Sequence, residues 1–275
     1  MPSLHANGVE LHYAEAGPAD GPVLLLIHGT LGDQRSFAAQ MAPLAAAGHR
    51  VIALSLRHCW PDAWREDGDF RIATHVADVA AFLRALGGAP AAVLGHSRGG
   101  HIAFRLAQHH PGLVRALILA EPGGERAPCL GGAPGANAQA SAFAEAARMI
   151  AAGDEEGGLR RVAEHTGGPG AWERRPEERK AISRANARTL LGQMHEAREP
   201  YRRAEAEAIR APTLLLQGAR TEPAFVANVA ALAGAIPGAR VEIIADATHG
   251  LPYEQPAAVN AAVRGFLAGL LAAAD

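Results

Sequence analysis

Lysine is almost missing from this chain of 275 residues: Lys180 is the only one among 26 basic side chains. The other basic residues are arginines, and set against 28 acidic residues they leave a formal net charge of −2. No block of like charge stands out, so no long-range field would draw in a nucleic acid or an anionic membrane. Aromatic residues supply only 5% of the chain, so the core must be built mainly of Leu, Ile, Val and Ala. Cysteine is scarce too. Cys59 and Cys129 could close at most one disulfide, and no His, Cys, Asp or Glu cluster has the spacing of a metal site. Long apolar runs are also lacking: residues 23–27 and 266–274 are the longest, far short of the roughly 20 needed to cross a bilayer. The first residues, Met-Pro-Ser-Leu-His-Ala-Asn-Gly, have neither a basic segment nor an apolar one, which argues against a secretory leader. The expectation is a reduced, cytoplasmic protein with no membrane or nucleic-acid partner, a monomer or homodimer acting on a small molecule.

What is present is a rhythm. Asn7-Gly8, between two short alternating segments, predicts an antiparallel hairpin, because both turn positions must tolerate positive φ. Short, mainly apolar runs follow at 23–27, 50–56, 91–94, 115–120, 212–216 and 240–245, separated by stretches with helical periodicity. Continuous apolar strands are buried on both faces, the mark of a parallel sheet covered by helices. The fold class is therefore α/β: a mostly parallel, doubly wound sheet of about eight strands with an N-terminal antiparallel hairpin. One interval breaks the alternation. Residues 122–211 separate the sixth strand from the seventh and hold 27 of the chain's 54 charges, 14 basic and 13 acidic. They read as a helical cap inserted between strands six and seven, so that 1–121 and 212–275 form the core and 122–211 the insertion.

Three motifs carry chemistry. Gly95-His96-Ser97-Arg98-Gly99-Gly100 ends an apolar strand and opens a helix. This is G-x-S-x-G in the setting its mechanics require, a tight strand-to-helix turn that lifts the serine hydroxyl above the sheet. His28-Gly29-Thr30-Leu31-Gly32 follows the 23–27 strand and can aim a backbone amide of Thr30 or Leu31 at the same point as the amide of Arg98, making an oxyanion hole. His28 itself reads as the residue holding that loop. A general base is expected later in the chain, and His249, in the loop after the last strand, stands at the carboxyl end of the sheet, where open α/β folds place their crevice. His28, His96, Arg57, His58 and Trp172 are further candidates for the pocket wall, with loop anchoring as the competing role for Arg57 and His58. No G-x-G-x-x-G or phosphate-binding loop occurs, and no cofactor is expected.

This order of strands, motifs, helical insertion and histidine loop resembles the α/β-hydrolase fold superfamily across essentially the whole chain. The resemblance implies a Ser, acid, His triad and a cap between strands six and seven. The acid departs from the commonest pattern of that superfamily: where an aspartate usually follows strand seven, this chain reads Gly218-Ala219-Arg220-Thr221-Glu222. Glu121, ending strand six, is the first candidate, as in some relatives that place the acid there, and Glu222 is the alternative. A buried carboxylate at Glu121 would need a partner, and the imidazole N–H of His249 would supply one. The implied activity is acyl transfer to water on a small or medium-sized ester or lactone. Carbon–carbon bond hydrolysis or cofactor-free perhydrolysis by the same triad, and a ligand receptor with little turnover, are the competing readings.

Overall fold

The structure, a computed structural model, describes residues 1–133, 138–194, 196 and 198–272, of which 138–141, 271 and 272 by backbone alone. Eight strands form one sheet: β1 (Ser3–Ala6), β2 (Val9–Ala16), β3 (Val23–Ile27), β4 (Arg50–Leu54), β5 (Ala91–His96), β6 (Val114–Ala120), β7 (Thr213–Gly218) and β8 (Arg240–Ile244). Their spatial order is β1-β2-β4-β3-β5-β6-β7-β8. β1 pairs antiparallel with β2, and β2 antiparallel with β4; every later pairing is parallel. The hairpin turn is the predicted one, with Asn7 at φ 48° and Gly8 at φ 78°.

Alternate residues of the central strands feed two different cores, because side chains along a strand alternate between faces. Leu25 and Ile27 of β3 pack on one side, in a cluster with α2 (Ile72–Ala85) and α3 (Arg98–His109). Leu24 and Leu26 pack on the other, with α1 (Ala38–Ala45) and α12 (Pro256–Ala272). β8 departs from the sequence expectation of a strand buried on both faces. It is one of the two edge strands, and Val241 and Ile243 are 45% and 61% exposed. Unlike β3 it carries charges within the run, Arg240 and Glu242, which fit a strand left open at an edge.

Between β6 and β7 the described residues form six α-helices: α4 (Ala138–Ala151), α5 (Glu155–Gly167), α6 (Ala171–Arg174), α7 (Glu177–Ala185), α8 (Thr189–Gln193) and α9 (Arg203–Glu207). Phe143, Leu159, Val162, Trp172 and Leu190 from this segment form a third apolar cluster, which Leu31 joins from the loop after β3. Two more helices, α10 (Pro223–Ala233) and α11 (Leu251–Glu254), flank the ends of β7 and β8. Among the described residues no helix is long and apolar enough to cross a membrane.

Because β3 stands between β4 and β5, the direction of strand addition reverses there, and loops leaving the carboxyl ends of β3 and β5 diverge to open a crevice. The loops after β3, β5, β6, β7 and β8 therefore meet at one end of the sheet.

Candidate active site

The turn between β5 and α3 is built by what its glycines leave out. A side chain on Gly95 would place its Cβ 2.2 Å from the Gly99 carbonyl oxygen, and one on Gly99 would lie 2.1 Å from that of Ile27. Only glycine lets strand and helix approach this closely. Ser97, between them, has φ 52° and ψ −116°, a conformation that side-chain-bearing residues rarely adopt. Its carbonyl accepts from Gly123 N–H (2.9 Å) and His101 N–H (3.2 Å), which hold the strained turn.

The loop after β3 lies against this turn: a Cβ on Gly29 would come 3.0 Å from that of Ser97. Leu31 has φ 60°. Among the described residues, the backbone N–H groups of Thr30, Leu31 and Arg98 have no protein acceptor. Arg98 N–H belongs to the first turn of α3, where helical geometry leaves donors unused and a negative charge is favoured. The Arg98 side chain is committed elsewhere, to a buried ion pair with Glu196 and a hydrogen bond to the Phe70 carbonyl.

His28 fixes the loop. Its Nδ1–H donates to the Gly29 carbonyl (2.8 Å) and its Nε2 accepts from Leu56 N–H (3.1 Å). A proton on Nε2 would face another N–H, and burial pulls the imidazole down to about 4 from 6.5. Between those values the unfolded chain binds a proton that the folded chain refuses. Stability is therefore complete above pH 6.5 and falls as pH drops toward 4. His75, His96 and His101 are shifted in the same direction, chiefly by burial. Urea unfolding from neutral pH to about pH 5 should lose about 2 kcal/mol through His28 alone. His28→Gln should flatten that slope by roughly one proton; an identical slope in the variant would remove His28 as its source.

The carboxylate comes from β6. Glu121 is fully buried, at φ 45°, and accepts three hydrogen bonds. Gly218 N–H reaches Oε1, while the Thr221 hydroxyl and His249 Nδ1–H reach Oε2, each at 2.7 Å. The other acid candidate, Glu222, is exposed at the N-terminus of α10, and no hydrogen bond joins it to His249. The last residue of β7 thus supplies an amide, and the loop after it a hydroxyl, to the carboxylate that follows β6.

His249 is held on every side. Phe225 stacks on its ring at 3.7 Å between centroids and 14° between planes. His96 lies on the ring at 4.8 Å and donates through Nε2 to the His249 carbonyl (2.8 Å). With Nδ1–H given to Glu121, the lone pair is left on Nε2. Ser97 and His249 line the same cleft of about 60 Å³, with Thr30, Leu31 and His96, while Phe143, Val162, Thr166, Arg175, Arg179 and Ser183 come from the segment between β6 and β7. No hydrogen bond joins Ser97 Oγ to the ring among the described residues; such contacts are often long until substrate binds.

Of the five residues expected in the pocket wall, only His96 lines the cleft. His28 sits behind its loop, and Arg57 is tied to Asp78 by a bidentate pair. His58 packs on Phe70, and Trp172 is buried in the cluster of the inserted helices, its indole N–H donating to Glu156. Phe225, Thr221, Arg175 and Arg179 were not singled out from sequence. Thr221 alone carried a signal, because it stands where an acid was sought. Among the described residues no group of three His, Cys, Asp or Glu side chains could hold a metal ion.

Comparison with known proteins places these features. The family model of the alpha/beta hydrolase fold matches residues 22–256. AB hydrolase superfamily protein YfhM of Bacillus subtilis (strain 168) is 34% identical over 116 residues, 42% of this chain and 41% of that protein. The chain thus spans about two fifths of the length of the curated relatives it first matches, the aligned part covering 41% of each. A hydrolase from Pseudomonas aeruginosa PA01 superposes with TM-score 0.82 at 25% identity, covering 97% of both chains. A solved N-acyl homoserine lactone degrading enzyme superposes with TM-score 0.75 at 26% identity, covering 96% of this chain and all of the other.

Proposed function

Because this chain belongs to the alpha/beta hydrolase fold family, we propose that it is a serine hydrolase cleaving a small carboxylic ester or lactone through an acyl-enzyme. The observation that carries the reading is the Glu121–His249 hydrogen bond of 2.7 Å beside a cleft that the strained Ser97 also lines. Ser97 Oγ attacks the substrate carbonyl while His249 Nε2 takes its proton; the same nitrogen then returns the proton to the departing alkoxide. Glu121 keeps the ring in the tautomer with Nδ1–H and stabilises the imidazolium. The amides of Arg98 and of Thr30 or Leu31 receive the oxyanion, where losing one donor costs roughly 3 kcal/mol. Water, activated by His249, frees the acyl group and restores Ser97. No cofactor enters this scheme.

Serine at the elbow favours acyl transfer over alkyl-enzyme chemistry, which needs a carboxylate nucleophile there. A cleft of about 60 Å³ suits a small acyl part. The likeness to a lactone-degrading enzyme supports cyclic esters within the substrate class. Residues 122–211 act as a cap in this scheme, since α4, α5 and α7 contribute walls opposite the sheet.

A fluorophosphonate probe followed by peptide mapping tests the assignment. Modification of one residue, Ser97, is the expected result. Absence of any adduct on folded protein would favour the ligand-receptor reading instead.

A further inference from the structure

We propose that the cleft at Ser97 selects substrates whose acyl part ends in a carboxylate, with Arg179 and Arg175 as the anion-binding residues. This rests on the serine hydrolase reading for the position of the reacting carbonyl and adds the chemistry of the group at the other end of the acyl chain.

The first observation is one of charge. Two arginines of the inserted segment line the cleft with Ser97 and His249, and no carboxylate lines it among the described residues. The second is one of unused donors. Arg179 Nε and Nη1 and Arg175 Nε are buried without a hydrogen-bond partner. Arg175 makes one long bond, Nη1 to Ser183 Oγ at 3.3 Å, and the Arg179 guanidinium lies over the Tyr253 ring, 4.7 Å from its centroid. An aromatic face contents a cation in part but leaves the in-plane N–H donors free.

Elsewhere in the inserted helices arginines do find acids: Arg160 pairs with Glu173, Arg161 with Glu145, and Arg184 with Glu156 and Glu177. The buried acid beside the cleft is already occupied, since Asp33 accepts from Arg35 and from Asn186. Arg115 and Arg126 also have unpartnered nitrogens, but neither lines this cleft. Burial, with the neighbouring Arg175 charge adding to it, pulls Arg179 down to about 10, so the guanidinium remains cationic at neutral pH.

A buried cation without a counter-ion is unfavourable in the empty cleft and favourable once an anion arrives. A carboxylate can dock on one edge of the planar Arg179 guanidinium, taking the idle Nε–H or the idle Nη1–H together with an Nη2 donor. Arg175 also borders a wider depression next to the cleft, where Arg174 and Arg220 stand with Asp246 and Glu254 and Arg220 is paired with Asp246, so the unpaired donors are those inside the cleft. Since hydroxyl and guanidinium share one small cleft, the acyl chain is short, and half-esters or lactones related to succinate and glutarate fit this chemistry.

The test compares mono-4-nitrophenyl glutarate with 4-nitrophenyl butyrate, which share a leaving group and differ in the terminal carboxylate. The wild type should favour the anionic ester by roughly tenfold or more in kcat/KM. Arg179→Gln should lower the ratio of the two kcat/KM values by about 10- to 100-fold, and Arg179→Lys should recover part of it, keeping charge without the fork. A wild type that prefers the butyrate ester, or a ratio unmoved in Arg179→Gln, overturns the proposal. Titration calorimetry on Ser97→Ala gives a readout that needs neither turnover nor an Arg179 variant. Glutarate should bind and neutral glutaramide should not; equal behaviour of the two overturns the anion site. Glutarate binding without hydrolysis of either ester would uphold the anion site and sink the serine hydrolase reading. Hydrolysis of both esters without preference would do the reverse.

Discussion

Ser97→Ala is expected to lower turnover of an activated ester by about 10⁶-fold while the protein stays folded. The size of the effect follows from the role assigned: without Oγ there is no acyl-enzyme, and only the oxyanion donors and substrate binding remain to act on water, which typically leaves about 10³- to 10⁴-fold over the uncatalysed rate. Retention of the fold follows from what holds the turn. The contacts at Ser97 are backbone ones, from Gly123 and His101 to its carbonyl, and the packing space is set by Gly95 and Gly99. Alanine keeps all of these. The measurement is the initial rate with a 4-nitrophenyl ester, alongside a thermal unfolding curve. Wild-type turnover in a folded Ser97→Ala protein would sink the nucleophile assignment outright.

Glu121→Gln is expected to lower kcat by about 10⁴-fold, the loss typical of a triad acid changed to its amide. Glu121 is surrounded only by donors: the Gly218 amide at Oε1, and the Thr221 hydroxyl and His249 Nδ1–H at Oε2. A glutamine has one acceptor oxygen and one NH₂. If the NH₂ faces Gly218, two donors collide in a fully buried position. If it faces His249, the imidazole must turn to the tautomer that accepts at Nδ1, and the proton then sits on Nε2, where the base is needed. Thr221 can rotate its hydroxyl and accept, so the histidine and the amide bear the conflict. A loss of roughly 1–3 kcal/mol in unfolding free energy should accompany the kinetic loss, because a buried group is left unsatisfied. Glu222→Gln is the control. Glu222 is exposed and makes no hydrogen bond to His249, so its variant should stay near wild-type kcat. A large loss in Glu222→Gln with little change in Glu121→Gln would reverse the assignment of the acid.

Much of the framework was readable because it is written locally. Asn7-Gly8 encodes a turn through the backbone freedom of two residues, and the 23–27 run encodes a buried strand through its composition alone. The Gly95 to Gly100 stretch places a strained serine because only glycine omits a Cβ that would fall about 2 Å from a neighbouring carbonyl oxygen, a requirement that local sequence displays openly. Burial was less legible. Val241, Ile243 and Ile244 suggested a covered strand in spite of Arg240 and Glu242, and the sheet order left β8 at an edge. The pocket wall was poorly legible for a related reason: Arg57, His58 and Trp172 carry chemistry that suits a site, yet each is turned to a structural partner that sequence does not name.

The sequence by itself determined the order of strands and helices, the position of the elbow serine, and the placing of Thr30, Leu31 and His249 at strand ends, because periodicity and turn chemistry act over a few residues. Tertiary structure decided which carboxylate meets His249, since that pair lies 128 positions apart and depends on how β6, β7 and β8 stand side by side. It also decided that Thr221 serves the carboxylate at the end of a neighbouring strand, that Phe225 stacks on the imidazole, and that Arg175 and Arg179 line one cleft with Ser97. The physical reason is that a strand-forming pattern fixes where a side chain leaves its own backbone, whereas its partner is chosen by the packing of elements far apart in the chain.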